Sequence, residues 1–504
     1  MSAKHGAILR GLTNVPHSQL FQGRFGRMFR FLPPAQFGAS EAENLANLHK
    51  LGDAMSADFD EPKDGKDEEE SGEEESGIPA LYTYLGQFID HDVTFDPASS
   101  LQKQNDPNAL VDFRTPAFDL DDVYGRGPDD QPYMYNGRKF LLGNTITGGD
   151  PNASDLPRNN ANPPRALIGD PRNDENTIVS QLHGLFLRFH NRTLEDNPGL
   201  SFRDVQRLVR FHYQFVVLYD FLPRIVDSKV LVHLKTGSKF DPSKLRFFHW
   251  RNRPFMPVEF SVAAYRLGHS MVRPGYRLNG AILLPIFPVP PNFPEGLTGF
   301  RAMNPAWGID WGRFIDVDIR KYDGSPDENK TRLQFAYRID TSLVNPLHNL
   351  PSSVASDPPS SLAERNLLRG LRLGLPSGQN VARAMGIKPL ADKDILIGKA
   401  TDDPEEPLGK ITKISPVFKG NCPLWTYILA EAMHHKTSVK IPVQEDISIN
   451  TPRLGPVGGR IVAEVFLGLL AGDNSSFLNF DPQWHPPAGP DYQLKDFVRY
   501  ALGR

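Results

Sequence analysis

Leu85-Gly86-Gln87-Phe88-Ile89-Asp90-His91-Asp92-Val93-Thr94-Phe95-Asp96-Pro97 sets Gln, Asp, His and Asp among aliphatic and aromatic residues. On a helix each residue turns the chain by about 100°, so Gln87 and His91, four apart, share a face. Asp90 points about a quarter-turn to one side of His91, and Asp92 about a quarter-turn to the other. One short helix can therefore aim an imidazole and an amide into one cavity and two carboxylates at two different partners. By spacing alone, an exposed polar face or a histidine satisfied in a core accounts for the pattern at least as well.

The surrounding chain narrows the choice. Its 504 residues include 39% hydrophobic positions and 32 Phe, enough for a substantial core. A net charge of −4 gives no reason to expect nucleic acid or an anionic membrane as partner. The single cysteine, Cys422, excludes an internal disulfide and Cys-rich zinc or iron–sulfur sites. Any metal must be held by His, carboxylate or backbone oxygen. Residues 1–31 carry Lys4, Arg10, Arg24, Arg27 and Arg30 without an apolar core of the signal-peptide kind, and no run is long enough to span a membrane. The expected location is cytoplasmic by default, or secreted by a non-classical route. The sequons at Asn152, Asn191, Asn329 and Asn474 are read as chance matches.

Three segments are expected. Residues 1–55 form an arm whose Phe21, Phe25, Met28, Phe29 and Phe31 can bury themselves on a larger body. Residues 56–77, dominated by the acidic run Asp58 to Glu75, form a disordered, solvated loop because they carry too little apolar surface to fold. Residues 78–504 form the main domain.

Within it, Ile78 to Val93 reads as a helix. Thr115-Pro-Ala117-Phe-Asp119-Leu-Asp121 carries oxygen donors at two-residue steps, a density that suits Ca²⁺, although an Asp-rich surface turn has the same composition. Asp170-Pro171-Arg172-Asn173-Asp174-Glu175 is expected to open a long helix, with Asp170 as its N-cap and Arg172 and Glu175 on one side of its first turn. Phe202 to Ile225 continues the helical pattern. Val258 to Val272 reads as another helix, stopped by Pro274 and carrying Tyr265-Arg266-Leu267-Gly268-His269. His269 lies in an apolar setting that suits a neutral imidazole, and Gly268 permits close approach of a flat group. Further helices are expected at Leu362 to Gly374, Asn380 to Gly386, Trp425 to His434 and Gly459 to Gly472. Pro285 to Gly308 is read as irregular, and β alternation is scarce. No repeat, P-loop, dinucleotide fingerprint or GxSxG is present, and His434-His435 has no HExxH context.

Taken in order and spacing, these pieces resemble the animal-type haem peroxidases, the peroxidase–cyclooxygenase superfamily, from about Gly86 to Trp484. The run Arg365 to Gly378 is similar to the form found in bacterial members. The resemblance implies a mainly α, large single-domain fold with long loops and little sheet. It implies haem b and Ca²⁺ as cofactors. His91 matches the distal histidine, Gln87 the pocket glutamine and Arg172 the distal arginine. Asp90 and Glu175 match the carboxylates that esterify haem methyl groups. Asp92, Thr115, Ala117 (through its carbonyl), Asp119 and Asp121 match the calcium ligands. His269 matches the proximal iron ligand, Asn366 the asparagine that hydrogen-bonds it, and Arg266 and Arg369 the arginines near the propionates.

The activity so implied is reduction of hydrogen peroxide, through an oxyferryl intermediate, with oxidation of small aromatic donors or of iodide, thiocyanate and bromide. A role in the response to oxidative stress goes with it; the sequence leaves the oligomeric state open, with a monomer as the default expectation. Asn176 stands where some members carry the methionine of a sulfonium–haem link, so that bond and chloride oxidation are not expected. Asp121 replaces a serine of several relatives and adds a negative charge. A fatty-acid dioxygenase is the first alternative. That branch needs a tyrosine three residues before the proximal histidine, where this chain has Arg266, with Tyr265 one position earlier. A haem-less structural or adhesion protein on the same scaffold is the second.

Overall fold

The computed structural model describes residues 23–58, 74–95, 111–112, 114–318, 333–355, 357–402, 408–441 and 444–504. Phe21, most of the acidic run and the sequon at Asn329 lie outside them.

Helix Leu81–Val93 is the central element. Leu81, Leu85, Phe88, Ile89 and Val93 are fully buried, so it is apolar on nearly all sides, as a helix inside a large core must be. Phe88 stacks on Phe186 of the long helix Thr177–Asp196, with ring centroids 4.5 Å apart. That helix in turn stacks Phe189 on Phe497 of the C-terminal helix Leu494–Leu502, at 4.1 Å. Helices Leu424–Ala432 and Pro456–Gly472 pack behind the turn that carries His269. Sheet structure among the described residues is confined to one three-stranded and several two-stranded ribbons. The mainly α architecture is as expected.

Several local expectations are corrected. The helix expected from Ile78 begins at Leu81 because Glu75–Pro79 is a strand paired with Phe335–Tyr337. Glu75, expected in a solvated loop, is buried there, ion-paired with Arg273 and thus compensated. Glu74 pairs with Lys399. Asp170 caps a short 3₁₀ turn, Pro171–Asp174, and the long helix starts afresh at Thr177, capped by the side chain of Asn176 on the amide of Ile178. Helix Phe202–Val216 runs into a π turn, Val217–Phe221. The expected helix over Val258 to Val272 is two pieces, an α turn at Val258–Ser261 and a 3₁₀ stretch at Ala264–His269. Ala263, at φ −127° and ψ −72°, interrupts the helical hydrogen bonding between them.

The arm is more integrated than expected. Gly23–Gly26 is a strand between Val111–Asp112 and Met256–Pro257, and helix Glu41–Ala54 packs on Leu362–Arg372. Phe25 and Phe29 are buried, but Phe31 is fully exposed. The hairpin Lys436–Ile441 with Gln444–Pro452 escaped the sequence reading because its polar strands carry few apolar residues to alternate.

Candidate active site

A cavity of about 300 Å³ is lined by Asp90, His91, Thr94 and Phe95 from the central helix and its exit, Arg172 and Glu175 from the 3₁₀ turn and its end, Val258, Ser261, Val262 and Arg266, and Arg369. Phe25 of the N-terminal strand and Leu373 complete it. Eclipsed i, i+3 side chains in a 3₁₀ turn put Arg172 and Glu175 on the same side, so the expected pairing survives the change of helix type.

Gln87 and His91 converge on Glu175. The Gln87 amide donates to Oε1 at 2.5 Å, and His91 Nε2 lies 3.3 Å from the same oxygen. Burial by itself lowers the His91 pKa, and the neighbouring Glu175 carboxylate outweighs it and raises the net value. Burial likewise favours the neutral form of Glu175, but His91, Gln87 and Arg172 bring its pKa below the ordinary value. Arg172 donates to the His91 carbonyl at 2.9 Å and to Asp170 at 2.8 Å, and its guanidinium lies 4.5 Å from the Phe95 ring centroid. Burial opposes ionisation of Asp170, but Arg172 and Arg114 overcome it and hold its pKa well below the usual carboxylate range. Asp90 faces Arg266 at 3.9 Å. The buried hydroxyls of Thr94 and Ser261 in the cavity wall have no hydrogen-bond partner.

His269 sits three residues beyond Arg266, with Nδ1 2.8 Å from the Asn366 amide nitrogen. A half-turn of that amide exchanges donor for acceptor, after which Asn366 Oδ1 accepts from Nδ1–H and Nε2 keeps its lone pair. Burial, with Arg266 nearby, lowers the His269 pKa to about 3, so the ring is neutral at ordinary pH. A Cβ built on Gly268 meets no atom within 4 Å, leaving open space beside the imidazole. Tyr265 turns away from the cavity. It stacks on Phe260 at 4.7 Å, and its buried hydroxyl has no partner.

On the other side of the central helix, single carboxylate oxygens of Asp92, Asp119 and Asp121 all lie within 4.8 Å of one another. Both Asp92 oxygens are buried without a hydrogen-bond partner. Burial, then mutual repulsion, raises the Asp92 and Asp119 pKa values; burial also raises that of Asp121, partly offset by Arg114 at 3.1 Å. Leu120, between two of these acids, is held at φ +55°, a strained backbone for a branched residue and one that the surrounding structure must impose. Thr115 and Ala117 are buried in the same loop, the Ala117 amide donating to the Thr115 carbonyl at 2.8 Å.

Sequence reasoning missed Asn173, whose carbonyl oxygen lies 2.8 Å from His91 Nδ1. Nothing in its local pattern marks it, because its partners come from distant stretches.

Residues 99–282 match the model of the animal haem peroxidase family. Over that segment the chain is similar to animal haem peroxidases. Its curated relatives include the dual oxidase of Drosophila melanogaster, 26% identical over 44% of this chain and 14% of that protein. Thyroid peroxidase of Canis lupus familiaris is 26% identical over 57% of this chain and 31% of its own length. The chain thus spans less than a third of either relative. Among solved structures, peroxidase A from Dictyostelium discoideum superposes with a TM-score of 0.58 at 16% identity, covering 98% of this chain and 97% of that one. A fatty acid alpha-dioxygenase from Arabidopsis thaliana gives 0.53 at 14% identity, over 93% of this chain and 76% of that one. Both support the fold. The matched segment includes Arg172, Glu175 and His269, whereas Gln87 to Asp92, Asn366 and Arg369 lie outside it.

Proposed function

We propose that the chain is a haem peroxidase that reduces hydrogen peroxide and oxidises small aromatic donors or iodide, thiocyanate and bromide. The observation that carries this is the cavity itself, which gathers His91, Arg172, Asp90, Glu175, Arg266 and Arg369 from four separate stretches. Residues of its lining and, outside the lining, His269 and Asn366 suit haem. His269 is a neutral imidazole with Asn366 to orient it and open space beside Gly268. Arg266 and Arg369 offer guanidiniums to propionates. Bound haem iron supplies the electrons that cleave the oxygen–oxygen bond.

The protein's own groups do the rest. His91 Nε2 takes the proton from one peroxide oxygen and returns it to the other. Arg172, permanently charged and held by Asp170, stabilises the charge that builds on the departing oxygen. Gln87 fixes the position of Glu175 beside His91. Asp90 and Glu175 are the carboxylates available for ester bonds to haem methyl groups. An ester at Glu175 removes the negative charge that now raises His91, and so leaves a neutral base. Asp92, Thr115, the Ala117 carbonyl, Asp119 and Asp121 hold Ca²⁺. Tyr265 lies outside the cavity lining, which disfavours a fatty-acid oxygenase that needs a tyrosyl radical there.

The test is His269→Ala. The variant is expected to lose haem retention and the ferric spectrum of the wild type. An unaltered spectrum sinks the assignment.

A further inference from the structure

We propose that Asn173 is a positioning residue that fixes the ring tautomer of His91, an inference that rests on the peroxidase reading above. Asn173 is fully buried, and every polar atom of its amide faces a defined partner. Its Nδ2 donates to Asp122 Oδ2 at 2.8 Å and lies 3.0 Å from His183 Nδ1. Its Oδ1 lies 2.8 Å from His91 Nδ1. An amide can be turned over when its neighbours are indifferent. Here they are not. Turning it would set Oδ1 against the ionised Asp122 carboxylate, two acceptors with no proton between them, so the ionised acid selects the orientation with Nδ2 toward it.

The consequence passes to His91. With Oδ1 facing it, Nδ1 must carry the proton, because an acceptor pair at 2.8 Å otherwise has none. In the neutral ring the other nitrogen, Nε2, is then bare. Nε2 is the atom on the Glu175 side, facing the cavity. The amide thus presents a base, rather than an N–H, where peroxide is to be deprotonated. The wrong tautomer offers a donor there and has no lone pair to give.

The anchor of the amide is also specific. Asp122 follows Asp121 in the short helix Asp121–Tyr124, entered through the left-handed Leu120. The turn that presents Asp121 to the acidic cluster therefore also holds the amide that orients His91. His91 is gripped from both sides: Asp92, its chain neighbour, enters the cluster, and Asn173 ties its ring to the residue after the cluster's last acid.

The experiment uses the full-length, haem-loaded chain and two kinds of measurement. In the diamagnetic carbon-monoxide complex of the reduced protein, nitrogen-15 shifts of the histidines, assigned against His91→Gln, are expected to show His91 protonated at Nδ1. Protonation predominantly at Nε2 overturns the proposal without needing any Asn173 variant. In stopped-flow measurements, Asn173→Leu, which removes the acceptor while keeping the branching of the side chain, should slow the reaction with peroxide by about 10²-fold. Asn173→Gln, which keeps both an acceptor for Nδ1–H and a donor for Asp122, is expected to recover part of that rate, which a merely packing role would not predict. A folded, haem-retaining Asn173→Leu within about twofold of wild type overturns the proposal. His91→Gln separates the two levels. If it slows the reaction and Asn173→Leu does not, only the positioning role fails; if His91→Gln leaves the rate unchanged, the peroxidase reading fails and this proposal with it.

Discussion

Asp90 and Asp92 flank the same histidine and end in opposite circumstances. Asp90 faces a cavity whose charged groups have met one another: His91 with Glu175, Arg172 with Asp170, Arg266 with Asp90 itself. Asp92 meets two further carboxylates, Asp119 and Asp121, with both its own oxygens buried and unpartnered. The difference lies in what each region can tolerate. A cavity wall of mixed charges closes on itself through flexible side chains and costs little. Buried carboxylates packed together from a short helix and a strained loop cannot compensate one another, and the desolvation penalty stands until a cation or protons remove it. Under the proposed function the acidic cluster is the ion site and the cavity the place of reversible chemistry.

That contrast can be broken first at the cluster. A strong chelator is expected to lower the melting temperature markedly, since an ion at a thousandfold excess over its Kd contributes about 4 kcal/mol. Asp92→Ala should reproduce the loss and abolish its dependence on added Ca²⁺. A melting temperature indifferent to chelator and to Ca²⁺ would place the cluster on a par with the cavity. Next in size, Arg172→Ala is expected to slow the reaction with peroxide by about 10²–10³-fold, in line with removal of a preorganised charge donor. Thermal stability should change little, and an unchanged rate rejects the role.

Third, Asp90→Val combined with Glu175→Gln should free haem into acidified organic solvent, while the folded protein persists. Wild-type haem that already extracts removes the ester proposal. The smallest effect is a pH slope. Raised carboxylate pKa values mean that the chelated fold takes up protons that the unfolded chain releases. Its stability contribution is therefore present below the ordinary carboxylate range and is lost as pH rises through the raised values. The melting temperature of the chelated protein should fall from acid toward neutral pH, and Ca²⁺ should flatten that slope.

Much of this arrangement was legible before any coordinates, and the reason differs from residue to residue. Gln87 and His91 share a face while Asp90 and Asp92 point to either side of it, as the helical turn requires, because a helix fixes direction from spacing alone. Arg172 and Glu175 stay together although their helix is a 3₁₀ turn, since i, i+3 neighbours meet in either form. The long helix was misplaced at its start because two caps stand in series: Asp170 for the 3₁₀ turn and Asn176 for the α-helix. Glu75 was misread because a partner 198 residues away decides whether it is buried.

The sequence by itself determined the helical class, the order of the polar motifs and the directions in which neighbouring side chains diverge, all properties set by local backbone periodicity. Tertiary structure decided the rest. The surroundings of His91 Nδ1 depend on an amide held by Asp122 and His183, the charge on Glu175 depends on His91 and Gln87, and the crowding of carboxylates depends on Asp92 meeting Asp119 and Asp121. Each is an interaction between distant residues in a low-dielectric interior, where the cost of an unpaired group is set by what the fold brings beside it.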